Sequence, residues 1–342
     1  MTAQRPPTPP SRQVQGSSIP RLLAILLTVL LAACTAAASP TPPAATVAPS
    51  PVATASATPS PSPTQPPYPL SLQDDEGTTV AIAAPPQHIV SLSPASTEIV
   101  WALGAGGRQV AGTDADDFPA AAVPLPDVVT FTAVDVEKIV SLQADLVLAS
   151  GEGFTSPDAI TRLRSLGIPV LVVYAADVPG VLADIELIGT AIGEGPAALD
   201  LTAAMRARID QIATAAARTG IKPRTFYEID ASNGIFGPAD GSFAAGVIGL
   251  AGGDPITTGS TTVYQISLER LVAADPEVIL LGDAALGVTP EIAAARPGWG
   301  GMTAVSMKAI YPIDDTVVTR PGPRLADGIL AVARAIHPDL GL

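Results

Sequence analysis

Cysteine is all but missing from this chain: Cys34 stands alone among 342 residues, so no disulfide can form within it. Histidine is nearly as scarce. His88 falls at the start of an expected strand and His337 in a surface-like His-Pro-Asp turn, far apart and without ligand spacing, so no protein-held metal is expected. Aromatic residues make up 4% and charged residues 15%, and the cations are outnumbered, leaving a formal net charge of −14. No cluster of Lys and Arg offsets that charge locally, which excludes nucleic acid as a partner. No nucleophile elbow, P-loop or Cys–His pairing occurs, so no enzyme motif and no cofactor are expected. The glycine run Gly104-Ala105-Gly106-Gly107 ends a predicted helix rather than opening one, the wrong setting for phosphate binding.

What the chain does have is aliphatic bulk. Hydrophobic residues reach 47%, mostly Ala, Val, Leu and Ile, which suits buried parallel strands and helices. The length allows two domains beyond any processed segment.

Residues 1–34 read as a targeting segment, with Arg5, Arg12 and Arg21 ahead of the apolar run Leu22 to Leu31. Extended through Ala38, that run only just reaches the lower limit of about 17 residues for a membrane span. Leu31-Ala32-Ala33-Cys34 looks like a bacterial lipobox, and the resemblance implies diacylglyceryl transfer to Cys34, cleavage before it and acylation of the new amino terminus. Cysteine suits this role because its thiolate is the nucleophile, and several acyl chains anchor a protein where one binds marginally. The alternative is an uncleaved anchor helix with a buried cysteine. From residue 35 to residue 68 the composition is nearly all Pro, Ala, Thr, Ser and Val, which marks an extended linker holding the body off the membrane. The expected location is extracytoplasmic, lipid-anchored to the cell membrane.

The folded region is expected from about residue 69. Leu70-Ser71-Leu72 and Thr78 to Ile82 flank Asp74-Asp75-Glu76-Gly77 as a hairpin. Strands and helices then alternate: a strand His88–Leu92, a helix capped by Ser93-Pro94, a strand near Gln109, a helix from Asp135, a strand Leu146–Ala149, a helix Pro157–Leu166 and a strand Val170–Tyr174. Such alternation builds a parallel sheet. From Val178 to about Ala216 one long helical stretch, broken or bent around Gly193-Glu194-Gly195-Pro196, reads as a link. Alternation resumes with strands near Thr225–Ile229, Val278–Leu281 and Ala309–Pro312. The fold class is therefore α/β with two lobes: 69–177, a linking segment 178–218, and 219–342.

Two internal matches support similar lobes. Asp135-Val-Glu-Lys-Ile-Val-Ser-Leu-Gln-Ala-Asp-Leu-Val-Leu-Ala149 parallels Ser267-Leu-Glu-Arg-Leu-Val-Ala-Ala-Asp-Pro-Glu-Val-Ile-Leu-Leu281, and Ser93-Pro94-Ala95 leading to Leu103-Gly104 parallels Gly237-Pro238-Ala239 leading to Leu250 and Gly252. Two lobes built alike leave a cleft between them, where small ligands usually bind. Ligands of open α/β sheets lie beyond the carboxyl ends of the strands, which selects the loops after Val110, Ala149, Ile229 and Pro312.

The segments Ile89 to Pro94 with Thr97-Glu98, Val136 to Val140, Gly241-Ser242-Phe243 through Gly253, Ile266 to Glu269, and Arg320-Pro321-Gly322-Pro323-Arg324 span nearly all of 69–342 in order. Together they resemble the iron–siderophore, heme and cobalamin class of ABC substrate-binding proteins, periplasmic binding protein class III, and look most like its cobalamin-type members. The resemblance implies two Rossmann-like lobes joined by a long linking helix, with a bulky cobalamin-like or iron-chelate ligand held between them for import. It implies ABC permease and ATPase subunits as partners, with Glu137 and Glu269 docking on the permease. Read from the sequence alone, each of those acids follows a capping residue on a first helical turn, where it also complements the helix dipole.

The resemblance further implies ligand contacts. Phe118 aligns with an aromatic that lines the cobalamin-type cleft, Ser150 stands where that cleft has a tryptophan, and Tyr264 lies beside a second tryptophan position filled here by Val263. Arg320 matches an arginine facing the ligand, able to clamp a carboxylate or phosphate with two hydrogen bonds. Alternatives stay open: Phe118 packing the lobe, Tyr264 capping a loop, Arg324 tying down the C-terminal segment, Trp299 in the core. For heme, Tyr174, Tyr227 and Tyr264 are the candidate axial ligands. A surface lipoprotein for sensing or adhesion is the rival of another class.

Overall fold

The computed structural model describes residues 67–131, 133–151 and 153–342, so the targeting segment with Cys34, nearly all of the linker, Thr132 and Glu152 lie outside the described residues. Tyr68, assigned by composition to the end of the linker, already belongs to the folded body: its hydroxyl donates to the Ala191 carbonyl at 2.9 Å. A hairpin follows, β1 (Leu70–Gln73) and β2 (Thr79–Ile82), its turn tied by the Asp74 carboxylate, which accepts from the backbone N–H groups of Glu76 and Thr78.

The first lobe then runs β3 (Ile89–Ser91), α1 (Pro94–Ala102), β4 (Gln109–Thr113), β5 (Asp127–Thr130), β6 (Ala133–Val134), α2 (Val136–Ser141), β7 (Leu146–Ser150), α3 (Pro157–Ser165) and β8 (Val170–Val173). The six strands lie in the order β6-β5-β4-β3-β7-β8, all parallel except β6. Strands buried on both faces require the continuous aliphatic runs seen in β7 and, at the edge of the sheet, in β8.

The linking stretch is two helices, α4 (Val178–Ile192) and α5 (Gly195–Arg218). The break falls at Gly193, whose φ of +83° is a left-handed conformation that only glycine adopts freely. The helices fold back on each other: the Thr202 hydroxyl donates to Glu186, and a Cβ added to Gly189 would come within 2.4 Å of Ala198 Cβ. Glycine at 189 is what lets the two backbones approach.

The second lobe comprises β9 (Arg224–Glu228), β10 (Ile235–Phe236), α6 (Phe243–Leu250), β11 (Asp254–Pro255), β12 (Gln265–Ile266), α7 (Leu268–Ala274), β13 (Val278–Leu281), α8 (Pro290–Ala294), α9 (Thr303–Ser306), β14 (Ile310–Pro312), α10 (Asp315–Val318) and α11 (Leu325–Ile336). Its main sheet is parallel, in the order β11-β9-β13-β14, and β10 pairs with β12 apart from it.

The internal match between residues 135–149 and 267–281 is physical. Asp135 caps α2 by accepting from Lys138 N–H, and Ser267 caps α7 by accepting from Arg270 N–H. Gln143 and Asp275 end the two helices with φ of +56° and +45°. The next acid in each unit reaches back to the start of the lobe's first parallel strand: Asp145 accepts from Gln87 and His88 N–H, Glu277 from Arg224 N–H. The second match is looser. Pro94 opens α1 directly behind its Ser93 cap, whereas Pro238 precedes a turn and α6 begins only at Phe243, because Gly241 at φ +70° redirects the chain first.

One apolar layer runs through both lobes, joining Ile99, Leu148, Ile185, Ile212, Tyr227, Leu280 and Ile329, while each sheet has its own outer core. Each aliphatic side chain buried there is worth about 1.5–3 kcal/mol, so the lobes cannot part widely without large loss. His337, expected at the surface, is buried instead, its Nε2 facing the Gly252 carbonyl at 3.3 Å; α11 packs on α6 and carries its own C-terminal residue inward. Among the described residues no helix is long and apolar enough to cross a membrane.

Candidate functional site

Between the lobes lies a cavity of about 440 Å³, within the usual range for small-molecule sites. Its first wall is the N-terminus of α1, where Ser93 caps the helix and Pro94 and Ala95 face the opening. Beside it stand the ends of β7 and β8 with Ser150, Phe154 and Tyr174. Phe154 and Tyr174 are 65% and 53% exposed and their rings meet at 5.8 Å, tilted by 36°. The opposite wall belongs to the second lobe: Phe243, Tyr264, and the segment from Asp315 to Pro321 after β14. Aromatic side chains thus face the space from both lobes, Phe154, Tyr174 and Tyr264 from loops that follow parallel strands and Phe243 from the start of α6.

Of the residues singled out in the sequence, Ser150, Tyr174, Tyr264 and Arg320 line this cavity. Phe118 does not. The carboxylate of Asp116 accepts from Thr97 and Thr113 hydroxyls and folds the loop after β4 back on α1, which puts Phe118 in an adjoining pocket of about 270 Å³ with Glu98, Trp101 and Pro323. There the Arg324 guanidinium covers the Phe118 ring at 4.5 Å. The loop after β9, expected to contribute beyond Ile229, is absent from the cavity wall.

Arg320 is not a free clamp. Its Nη1 donates to Glu98 Oε1 at 2.7 Å and to Asp117 Oδ1 at 2.6 Å. Arg324 donates from Nε and Nη2 to the two oxygens of the same Glu98 at 2.9 and 2.6 Å. Glu98, on α1 and only 3% exposed, therefore joins the first lobe to the C-terminal segment. Burial works against the charge of Asp117, but the hydrogen bond and charge of Arg320 outweigh it and hold that carboxyl below its ordinary value. The Glu98 hydrogen bond raises Arg324, and those of Asp117 and Glu98 raise Arg320 against the opposing effect of its own burial.

Deeper in the cavity, Asp184 on α4 is buried on the same helix face as Val181 and Ile188. Burial, and then the neighbouring charge of Asp75, push its carboxyl up to about 8. Tyr227, one of three tyrosines considered for axial ligation, is fully buried and donates its hydroxyl to Asp315, so it is committed inside the second lobe. Tyr174 and Tyr264 remain at the cavity with hydroxyls that have no partner among the described residues. Trp299 is core, 1% exposed, with Arg296 stacked on its ring at 4.7 Å. Among the described residues no group of three or more His, Cys, Asp or Glu could hold a metal ion.

Glu137 and Glu269 both stand exposed on the first turns of α2 and α7, and neither enters an ion pair among the described residues. Tyr174, named in the sequence as a candidate heme ligand, lines the cavity, whereas Phe154 and Asp184 had no role assigned there. Both carried a usable signal, Phe154 as an aromatic just past a predicted strand end and Asp184 as an acid in register with the apolar stripe of its helix.

A family model described as periplasmic binding protein matches residues 89–317. The chain is 32% identical over 277 residues to an uncharacterized ABC transporter substrate-binding lipoprotein of Bacillus subtilis, spanning 80% of this chain and 87% of that one. Among solved structures, the vitamin B12-binding protein BtuF of Vibrio cholerae superposes with a TM-score of 0.64 at 25% identity, over 74% of this chain and 97% of the other. The periplasmic heme-binding protein BhuT, in complex with two hemes, gives 0.66 at 26% identity over 74% and 99%.

Proposed function

The chain belongs to the periplasmic binding protein family, whose members are substrate-binding components of transport and not enzymes, and from the cleft we propose that it captures a bulky, preformed metal chelate of the corrinoid type for an ABC importer. The observation that carries this reading is the pairing of aromatic walls, Phe154 with Tyr174 on one side and Phe243 with Tyr264 on the other, around a cavity with no metal-ligating cluster among the described residues. Such a site grips a large conjugated or apolar face and leaves the metal to the ligand's own donors. Glu137 and Glu269, matched on the two lobes and unpaired, serve as the permease contacts, and Cys34 supplies the membrane anchor.

Heme is the second reading. Tyr174 and Tyr264 both present hydroxyls to the cavity, and a tyrosine oxygen is a competent axial ligand for ferric heme. Calorimetric titration of the mature protein with cyanocobalamin, hemin and a ferric siderophore separates the candidates. Saturable binding of cyanocobalamin is the expected result; a Soret shift with hemin, abolished by replacing Tyr174 or Tyr264 with Phe, would establish heme instead. Absence of binding by all three overturns the chelate assignment.

A further inference from the structure

We propose that this cleft accepts uncharged or cationic chelates and rejects anionic ones, because the one cation on its wall among the described residues, Arg320, is already committed to acids of the protein. The inference rests on the chelate reading above and narrows it. Charged side chains lining the cavity are Asp184, Asp315 and Arg320. Arg320 faces it, but its Nη1 is held by both Glu98 and Asp117. Arg324, which does not line the cavity, is folded onto the same Glu98 with two hydrogen bonds and onto the Phe118 ring. Two guanidiniums and two carboxylates thus cancel, and Asp315, which accepts the Tyr227 hydroxyl, stays on the wall as an acid. Asp184, its carboxyl pushed up by burial, is mainly protonated at neutral pH and adds no cation either.

An anionic ligand entering this space loses its hydration and finds no uncompensated positive charge to replace it. Turning Arg320 toward the ligand does not help, since it would strip Asp117 of its partner and leave the buried Glu98 to Arg324 alone. The net charge of −14 extends the same preference to the approach of the ligand. An amide-rich, uncharged chelate meets none of these costs and finds a hydrogen-bonding group in the Ser150 hydroxyl.

Ligand pairs that differ chiefly in their carboxylates test this on the intact mature protein: cyanocobalamin against its monocarboxylic acid with one side-chain amide hydrolysed, and hemin dimethyl ester against hemin. Titration calorimetry is expected to show the uncharged member of the binding pair at least about tenfold tighter. In Asp117→Asn, whose altered side chain is half exposed and leaves the Glu98 pair in place, the gap should narrow as Arg320 becomes available to the ligand. An anionic member that binds the parent as tightly as its uncharged counterpart overturns the charge preference, and an unchanged gap in Asp117→Asn overturns its assignment to this cluster. If no member of either pair binds, the chelate reading falls, and this inference with it.

Discussion

Arg324 and Glu98, 226 residues apart, meet in a two-bond pair that ties the C-terminal segment to the first helix of the opposite lobe. Glu98 accepts from Arg320 as well, so a single buried carboxylate receives two guanidiniums across the lobe boundary. Geometry of this kind adds direction to charge, since the planar guanidinium fork matches the carboxylate.

Glu98→Ala should therefore cost about 2–4 kcal/mol of stability, because it strands two partly buried guanidiniums at once. Chemical denaturation gives the value. Arg324→Lys should recover less than half of what Arg324→Ala loses, since a lysine cannot reproduce the fork or the stacking on Phe118. Equal stability of the lysine variant and the parent would show that charge alone matters there.

Asp184 imposes a pH dependence of definite sign. Its carboxyl lies at about 8 in the folded protein against an ordinary 3.8, so between those values the folded chain holds a proton that the unfolded chain has lost. Stability from this group is full below about pH 4, falls as pH rises through that window, and levels off above it. Asp184→Asn should remove the slope and stabilise the protein at about pH 8.5 by roughly 1–3 kcal/mol, with the advantage vanishing near pH 4. Melting curves of both proteins over that range decide the point; parallel curves would mean that Asp184 is ionised in the fold.

The aromatic walls carry affinity and little stability, since Phe154, Tyr174 and Tyr264 are exposed. Tyr174→Ala and Tyr264→Ala should each weaken chelate binding about 5- to 30-fold, as expected for removing one stacking face, while shifting the melting temperature little. Tyr227→Phe should behave the other way, leaving binding intact and lowering stability, because its hydroxyl is bonded to Asp315 inside the lobe.

Docking and binding should separate. With Glu137 and Glu269 both reversed to Lys, ligand affinity of the purified protein should be unchanged, while uptake through the reconstituted importer should drop to background. Transport by that double variant at the parental rate would remove these acids from the permease interface.

Much of the fold was legible in the chain because it is written in local terms. Aliphatic runs of strand length, Ser93-Pro94 at a helix start, and the glycine break at residues 193–195 each act within a few residues, and β13 appears at the bounds its Val278–Leu281 run suggests. The duplication of residues 135–149 in 267–281 also reaches the backbone, down to the left-handed residues that close both helices. Short strands such as β10 to β12 were illegible, since two residues carry no periodicity and pair only because the surrounding loops bring them together. The candidate site was half legible. That a cleft should lie at the strand ends follows from alternation and duplication, and Ser150, Tyr264 and Arg320 stand there. What the charges in it do was decided by tertiary structure alone. Arg320 reads as a clamp in one dimension, and only the fold brings Glu98 and Asp117, 222 and 203 residues away, against it. Asp184 stands in register with the apolar stripe of its helix, but only burial and Asp75, met in the fold, take away its charge. Local conformation depends on neighbours in the chain, whereas the state of an ionisable group depends on distances and solvent exclusion that no stretch of sequence contains.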